Sequence, residues 1–261
     1  MTKHHIGLIA HQPAHLAGYN IHTAEYRHLQ KDLEQYIKFA LSQHDTIVGH
    51  TGMGLGADLV WANALLNMKK AYPGRVLISA EIPHDKQTDR WTQDNVAIWN
   101  NIKANADTVS IYEQDIEFAT KGLSQNDRLQ RYITTLNIRT AGLIDKSDTV
   151  LAVWLKSEGI AQKAVTYAES KNKNIVLVDP AIYFSTTPTI SVQFLNDQFK
   201  PKSSKTYTYS NPNHEKYTVG EIYEITSNNE KSFVQIVDLT LSTNITLAKL
   251  KPLNPIRKVQ L

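Results

Sequence analysis

The densest chemistry in the chain lies in VGHTGMGLGADLVWANALL, residues 48–66. Gly52, Gly54 and Gly56 stand at every second position, with Met53 between the first two and Asp58 two residues past the last. An apolar run leads in and a helix-forming stretch leads out. Glycines let a backbone come close to an anion, and the open amides and dipole of a helix start favour negative charge. Strand, glycine loop and helix in that order are what a phosphate site requires. Asp58, in the first helical turn, can cap the helix or accept a ribose hydroxyl. A tight turn with packing glycines would leave the same letters. The GxGxG spacing, after the second strand, also differs from the GxGxxG dinucleotide fingerprint that follows a first strand.

Three further segments stand where a parallel α/β sheet exposes the carboxyl ends of its strands, the place where such folds hold ligands. AHQPAHLAGY, residues 10–19, offers His11, Gln12, Gly18 and Tyr19, although a lone loop histidine is usually only that. AEIPHDKQTDRW, residues 80–91, offers Glu81 at a strand end, with Gln87, Arg90 for a phosphate and Trp91 for a base. WLKSEGIAQKAVTYA, residues 154–168, offers Ser157, Glu158 and Gly159. Glu81, Asp58 and Glu158 are the carboxylates placed to act on a bound ligand, Glu81 and Glu158 foremost because both follow parallel strands; helix capping by Asp58 and solvation of Glu158 are the plainer readings.

The elements that would position these groups follow from hydrophobic pattern. Ile6–Ala10, Thr46–Gly49, Val76–Ile82, Thr149–Trp154 and 174–179 are short apolar runs without polar alternation, as strands buried on both faces are; a weaker run lies at 108–112. Helical spacing fills the gaps at Thr23–Gln43, Ala57–Ala71, 94–104, 126–147 and 159–172. The alternation predicts an α/β fold: a Rossmann-like parallel sheet with helices on both faces, over residues 1–184. The Ser-, Thr-, Pro- and Lys-rich stretch 185–204 reads as a linker or arm, and 205–261 as a small β-rich domain with strands near 217–226, 232–241 and 245–250.

The 28 basic and 25 acidic residues are too balanced to imply a nucleic-acid protein by themselves. With no cysteine, disulfides and thiolate chemistry are excluded. No apolar run reaches the length of a membrane span, so a cytoplasmic protein without membrane partners is expected. The histidines are scattered, and His11 and His15 flank Pro13 in a loop, so no metal is expected; nor is a separate cofactor.

Taken together, these segments resemble the SLOG superfamily of Rossmann-like nucleotide-binding proteins, in its YpsA-like branch. The likeness rests on AHQP with Gly18-Tyr19, TGMGLGAD, IPHDKQ followed by Arg90-Trp91, the run from Arg139 through Asp145 to Ser147-Asp148, and a glycine loop and helix with Thr166 and Tyr167-Ala168 before a strand closing on Asp179-Pro180. It spans roughly residues 5–180. It implies binding of a nucleotide or nucleotide-derived ligand, a crevice role for Arg139, and pairing into a homo-oligomer. Departures are Gln12 where the family has Arg, Thr140 where it has Asn, and Ile160-Ala161 where it has Gly-Thr. Related phosphoribohydrolases cleave an N-glycosidic bond with a loop glutamate, but Gln162 and Lys163 stand in that neighbourhood here. A sensing module is therefore the first expectation and a nucleotide N-glycosidase the second. A third follows from the relative DprA: single-stranded nucleic acid on Lys200, Lys202, Lys205, Lys249, Lys251, Arg257 and Lys258 with Tyr207 and Tyr209.

Overall fold

In a computed structural model of the chain, the described residues are 2–156, 159–184, 187–210, 216–227, 230–242 and 255–259. They form two compact units, residues 1–13 with 19–183 and residues 14–18 with 184–261.

The first unit alternates strands and helices. In chain order they are β1 (Lys3–Ala10), α1 (Ala24–Gln43), β2 (Thr46–Thr51), α2 (Ala57–Ala71), β3 (Val76–His84), α3 (Gln93–Asn105), β4 (Thr108–Glu113), α4 (Ile116–Thr120), α5 (Gln125–Lys146), β5 (Thr149–Val153), α6 (Ile160–Ser170) and β6 (Asn174–Val178). The strands pair in parallel in the order β4-β3-β2-β1-β5-β6. This is the expected Rossmann-like α/β architecture.

Two glycines show which helix covers which face. A Cβ on Gly7 of β1 would strike Leu143 and Ser147 of α5, and one on Gly49 of β2 would strike Leu65 of α2. Adjacent strand residues point to opposite faces. Gly49 therefore marks the face under α2, and His50 points to the face under α5. Helix α2 is apolar nearly all round, with Leu59, Val60, Trp61, Leu65 and Leu66 buried, because α1 and α3 flank it. On the other face, Leu143 and Ile144 of α5 pack with Ala164, Val165 and Ala168 of α6 over Ile9, Val150 and Ala152.

The chain leaves β1 toward β2 on one side and returns as β5 on the other. That reversal is the topological switch point, the place where folds of this kind hold ligands.

The second unit is an antiparallel sheet of β7 (Thr187–Leu195), β8 (Pro201–Ser210), β9 (Ile222–Ser227), β10 (Glu230–Ser242) and β11 (Pro255–Val259), in the order β11-β9-β10-β7-β8. The stretch expected as a linker, residues 185–204, contains β7 and the start of β8 within its described residues. Their polar composition hides an alternation in which Ile190 and Val192 point into a core with Tyr223, Ile225, Val234 and Ile236, while Ser191 between them is only partly buried. The strand expected from residue 217 starts only at Ile222, since Gly220 adopts a positive φ of 93° in the turn before it. The strand expected at 245–250 lies outside the described residues. No helix among the described residues is long and apolar enough to cross a membrane.

Candidate functional site

The helix starts of the first unit fall into two kinds. Thr23, Thr92, Asp115 and Ser124 each cap their helix with a side-chain oxygen that accepts a first-turn amide. Helices α2 and α6 begin instead at Gly56 and Gly159, which have no side chain to do so. These two helices follow β2 and β5, the strands on either side of β1. First-turn amides without an intrahelical acceptor need another partner, and at these two ends the cap residue provides none.

The glycine loop turns sharply between β2 and α2. Met53 takes a φ of 54° and Gly56 one of 78°. Met53 is fully buried, so its side chain belongs to the core and only its backbone can meet a ligand. The amide of Gly54 donates to Asp58 Oδ2 at 3.3 Å, and Arg139 Nη1 stands 3.5 Å from that same oxygen. Space, more than phosphate geometry, explains the first two glycines. A Cβ on Gly52 would lie 1.4 Å from Arg139 Nη1, and one on Gly54 would lie 2.8 Å from Asp58 Oδ2. A Cβ on Gly56 would meet Pro13 and the Tyr26 hydroxyl, both at 2.9 Å. Gly159 is different. Nothing lies within 4 Å of its Cβ position, and its φ of 134° is one that side-chain-bearing residues rarely adopt.

Burial pushes the Asp58 carboxyl above its usual range, and the Arg139 charge and the Gly54 amide pull back only in part. Arg139 Nε is buried and has no hydrogen-bond partner.

The remaining crevice candidates separate. Gln87 Nε2 donates to the Gly52 carbonyl at 3.2 Å, and its Oε1 accepts from Trp99 Nε1 at 3.2 Å, so the 85–91 loop is tied to the glycine loop. Arg90 is exposed and Trp91 half-buried beside them. Tyr19 is exposed, and its carbonyl accepts from Asn95 Nδ2. Gln12 is exposed, and Gly18 bends the same segment with a φ of 80°. His11 is buried, and its Nε2 accepts the amide of Leu155 at 3.1 Å. That bond stitches the loop after β1 to the loop after β5, so the ring is a structural clasp. Ser157 and Glu158 lie outside the described residues.

Glu81 is not at a strand end. Strand β3 continues three residues to His84, and the Glu81 side chain points toward α5, fully buried. Its carboxylate accepts from Ser79 Oγ at 2.9 Å, Tyr112 OH at 2.9 Å, His50 Nδ1 at 3.2 Å and Lys146 Nζ at 2.8 Å. Burial alone would raise its pKa; the bonds from His50, Lys146 and Ser79 and the Lys146 charge override it and bring it to about 2. Burial and the Glu81 charge in turn push the Tyr112 phenol upward. A carboxylate so enclosed is not placed to attack or stabilise an anomeric carbon.

Sequence reasoning missed His50, Tyr112 and Lys146, which surround Glu81, and His84, whose buried Nδ1 has no partner. Among the described residues, no group of three His, Asp or Glu side chains could hold a metal ion. The basic residues expected to bind a nucleic-acid strand, where described in β8 and β11, fall on two edges of the second unit's sheet. Lys202 and Lys205 lie on β8, with Lys205 over the Tyr207 ring at 5.0 Å, whereas Arg257 and Lys258 lie on β11, the opposite edge of the sheet. Tyr209 packs against the core of that sheet. Lys249 and Lys251 lie outside the described residues. No family model matches the chain, and no curated protein matches it.

Proposed function

We propose that the protein binds a phosphate-bearing nucleotide or nucleotide-derived ligand at the carboxyl ends of β1, β2 and β5, acting as a binding or sensing module. The observation that carries this reading is the pair of glycine-capped helices beside the switch point. Four neighbouring helices satisfy their first turns with side chains, and the two facing the crevice do not. A phosphate is the partner such amides and dipoles favour.

Other groups fit this assignment. Asp58, with its raised pKa, suits a neutral or hydroxyl-donating partner such as a ribose. Arg139 keeps a buried, unused donor beside it. Gln87 links the loop bearing Arg90 and Trp91 to the glycine turn, which suits a base held by stacking. Of the three carboxylates considered for N-glycosidic cleavage, Glu81 is turned away and Asp58 is engaged by Arg139 and the Gly54 amide, so binding is favoured over hydrolysis. The likeness to SLOG proteins points the same way, and with it a homo-oligomer.

The test is a thermal-shift screen of nucleoside mono-, di- and triphosphates and cyclic nucleotides, with native mass spectrometry of the purified chain. A saturable rise in melting temperature with at least one nucleotide, lost in Gly159→Val, is expected. No shift across the panel, with no co-purifying nucleotide, would overturn the reading.

A further inference from the structure

The proposed nucleotide site lies at the carboxyl ends of the strands. At the amino end of the same sheet is a cavity of about 400 Å³. Lys3, the first residue of β1, and Lys146, the last of α5, stand in its wall with His5, His50, Ser79 and Ser110. This sheet face would ordinarily be apolar, and a buried ion pair seldom outdoes apolar packing for stability. Strongly shifted ionisable groups beside a cavity mark a candidate site.

Hydrogen-bond direction runs one way through this cluster. Glu81 is ionised and can only accept. His50 Nδ1, 3.2 Å away, therefore donates to it. In a neutral His50 the other nitrogen, Nε2, accepts, so His5 Nδ1, 2.9 Å from it, donates. His50 is held in place by Trp61 Nε1, which donates to its carbonyl at 3.0 Å. His5 keeps the lone pair of Nε2, which no described residue uses. Its ring is half-buried.

The charges are also uneven. Lys146 answers Glu81, and Lys69 answers the nearby Asp107 at 2.7 Å. Lys3 is exposed and has no acidic partner among the described residues, so its charge is open to an anion; Asp148, the carboxylate facing His5, stands 3.6 Å from His4 Nδ1.

We propose that this cavity is a second ligand site, specific for a small oxyanion that also carries an O–H group, such as hydrogen phosphate or a 2-hydroxycarboxylate. Lys3 and Lys146 hold the negative charge. His5 Nε2 accepts the hydrogen bond from the ligand O–H, and Glu81, acting through His50, is the positioning residue that fixes the His5 tautomer. Burial keeps the His5 pKa below its ordinary 6.5, which leaves the acceptor open at neutral pH. The charged and titratable groups facing it are His50 on β2, Asp148 before β5, and Lys3 and His4 on its own strand.

Sulfate provides the test, because it matches hydrogen phosphate in size and charge but has no O–H. The His5 ring resonances of the full chain are followed by NMR during titration with inorganic phosphate, lactate or sulfate. Phosphate or lactate should shift His5 saturably at pH 7.5, and phosphate should bind about tenfold more tightly than sulfate, the worth of one good hydrogen bond. The preference should vanish when acidification protonates His5. Lys3→Gln, at an exposed position, should weaken binding without changing the fold. Arg139→Met, in the other crevice, should leave the His5 shifts intact, which separates this site from the nucleotide site. Equal response to sulfate and phosphate would overturn the acceptor role of His5. No saturable shift with any of the three anions would overturn the site.

Discussion

Arg139 of α5 lays its guanidinium where a side chain at residue 52 would be, with Nη1 3.5 Å from Asp58 Oδ2 and both side chains more than four-fifths covered. The pair joins the helix over one face of the sheet to the loop that starts the helix on the other. Its energetics are lopsided: burial costs the Asp58 charge more than Arg139 returns, since the net shift of that carboxyl is upward.

The first prediction follows from that sign. A carboxyl with a raised folded pKa favours the native state below its unfolded pKa, near 4, and loses that contribution as pH rises through the higher folded value. The charged form of Asp58 is therefore a burden on stability. Asp58→Asn should keep or raise the melting temperature at pH 7, narrow the gain seen on acidification, and weaken nucleotide binding. Thermal melts at pH 5 and 7 with a binding titration check this. A fall of several degrees at pH 7 would show that Arg139 needs the charge more than burial penalises it.

Gly52 and Gly159 should fail for different reasons. Gly52→Ala pushes a methyl into the guanidinium and should cost about 1–3 kcal/mol by overpacking. Gly159→Ala meets no atoms, but its φ of 134° is costly for any side-chain-bearing residue, again about 1–3 kcal/mol. Coupling tells them apart. Arg139→Ala should relieve much of the Gly52→Ala penalty and none of the Gly159→Ala penalty. Denaturant unfolding of the single and double variants measures both cycles.

The Glu81 cluster should shape the acid limb of stability. Its folded pKa of about 2 lies below the ordinary 4.5, so its contribution is present above pH 4.5 and is lost as pH falls toward 2. With Lys146 nearly half exposed and screened by solvent, that contribution is on the order of 2 kcal/mol. Glu81→Gln should destabilise the protein at pH 7 and flatten the loss between pH 4.5 and 2. Urea midpoints across that range give the answer, and an unchanged acid limb would count against the cluster as described.

Helix α5 also bears a row of exposed apolar residues, Leu129, Ile133 and Leu136, at four- and three-residue spacing. If the chain pairs with itself, this row is the surface to test. Ile133→Lys should shift the mass measured by light scattering toward one chain while leaving the melting temperature within about 1–2 °C, as surface changes usually do. A mass that does not respond would place the contact elsewhere or remove it.

The parallel sheet was legible because its strands are covered on both faces and so read as unbroken apolar runs between helical periods. Helix α2 begins at Ala57, where the glycine loop implied. The strand β7 was not legible, because Ser, Thr and Pro dominate its letters and only its alternate residues carry the core. Nor was the Glu81 cluster. His50, Ser79 and Ser110 sit in three different strands and become neighbours only through register, His50 opposite Ser79 and Glu81 opposite Ser110. Two-residue periodicity within each strand puts them on one face, and that was the available signal; the register that brings them together is set by packing across the sheet. The roles of Gly52 and Gly54 were likewise hidden, since the side chain that fills the space beside Gly52 comes from α5, far along the chain.

Trp61 deserves use as an instrument. Its indole is wholly enclosed and bonded to the backbone of His50, whose imidazole is one link from Glu81. An emission near the blue end of the tryptophan range, altered when the amino-end cavity fills, would let the native chain signal occupancy of that cavity without any attached label.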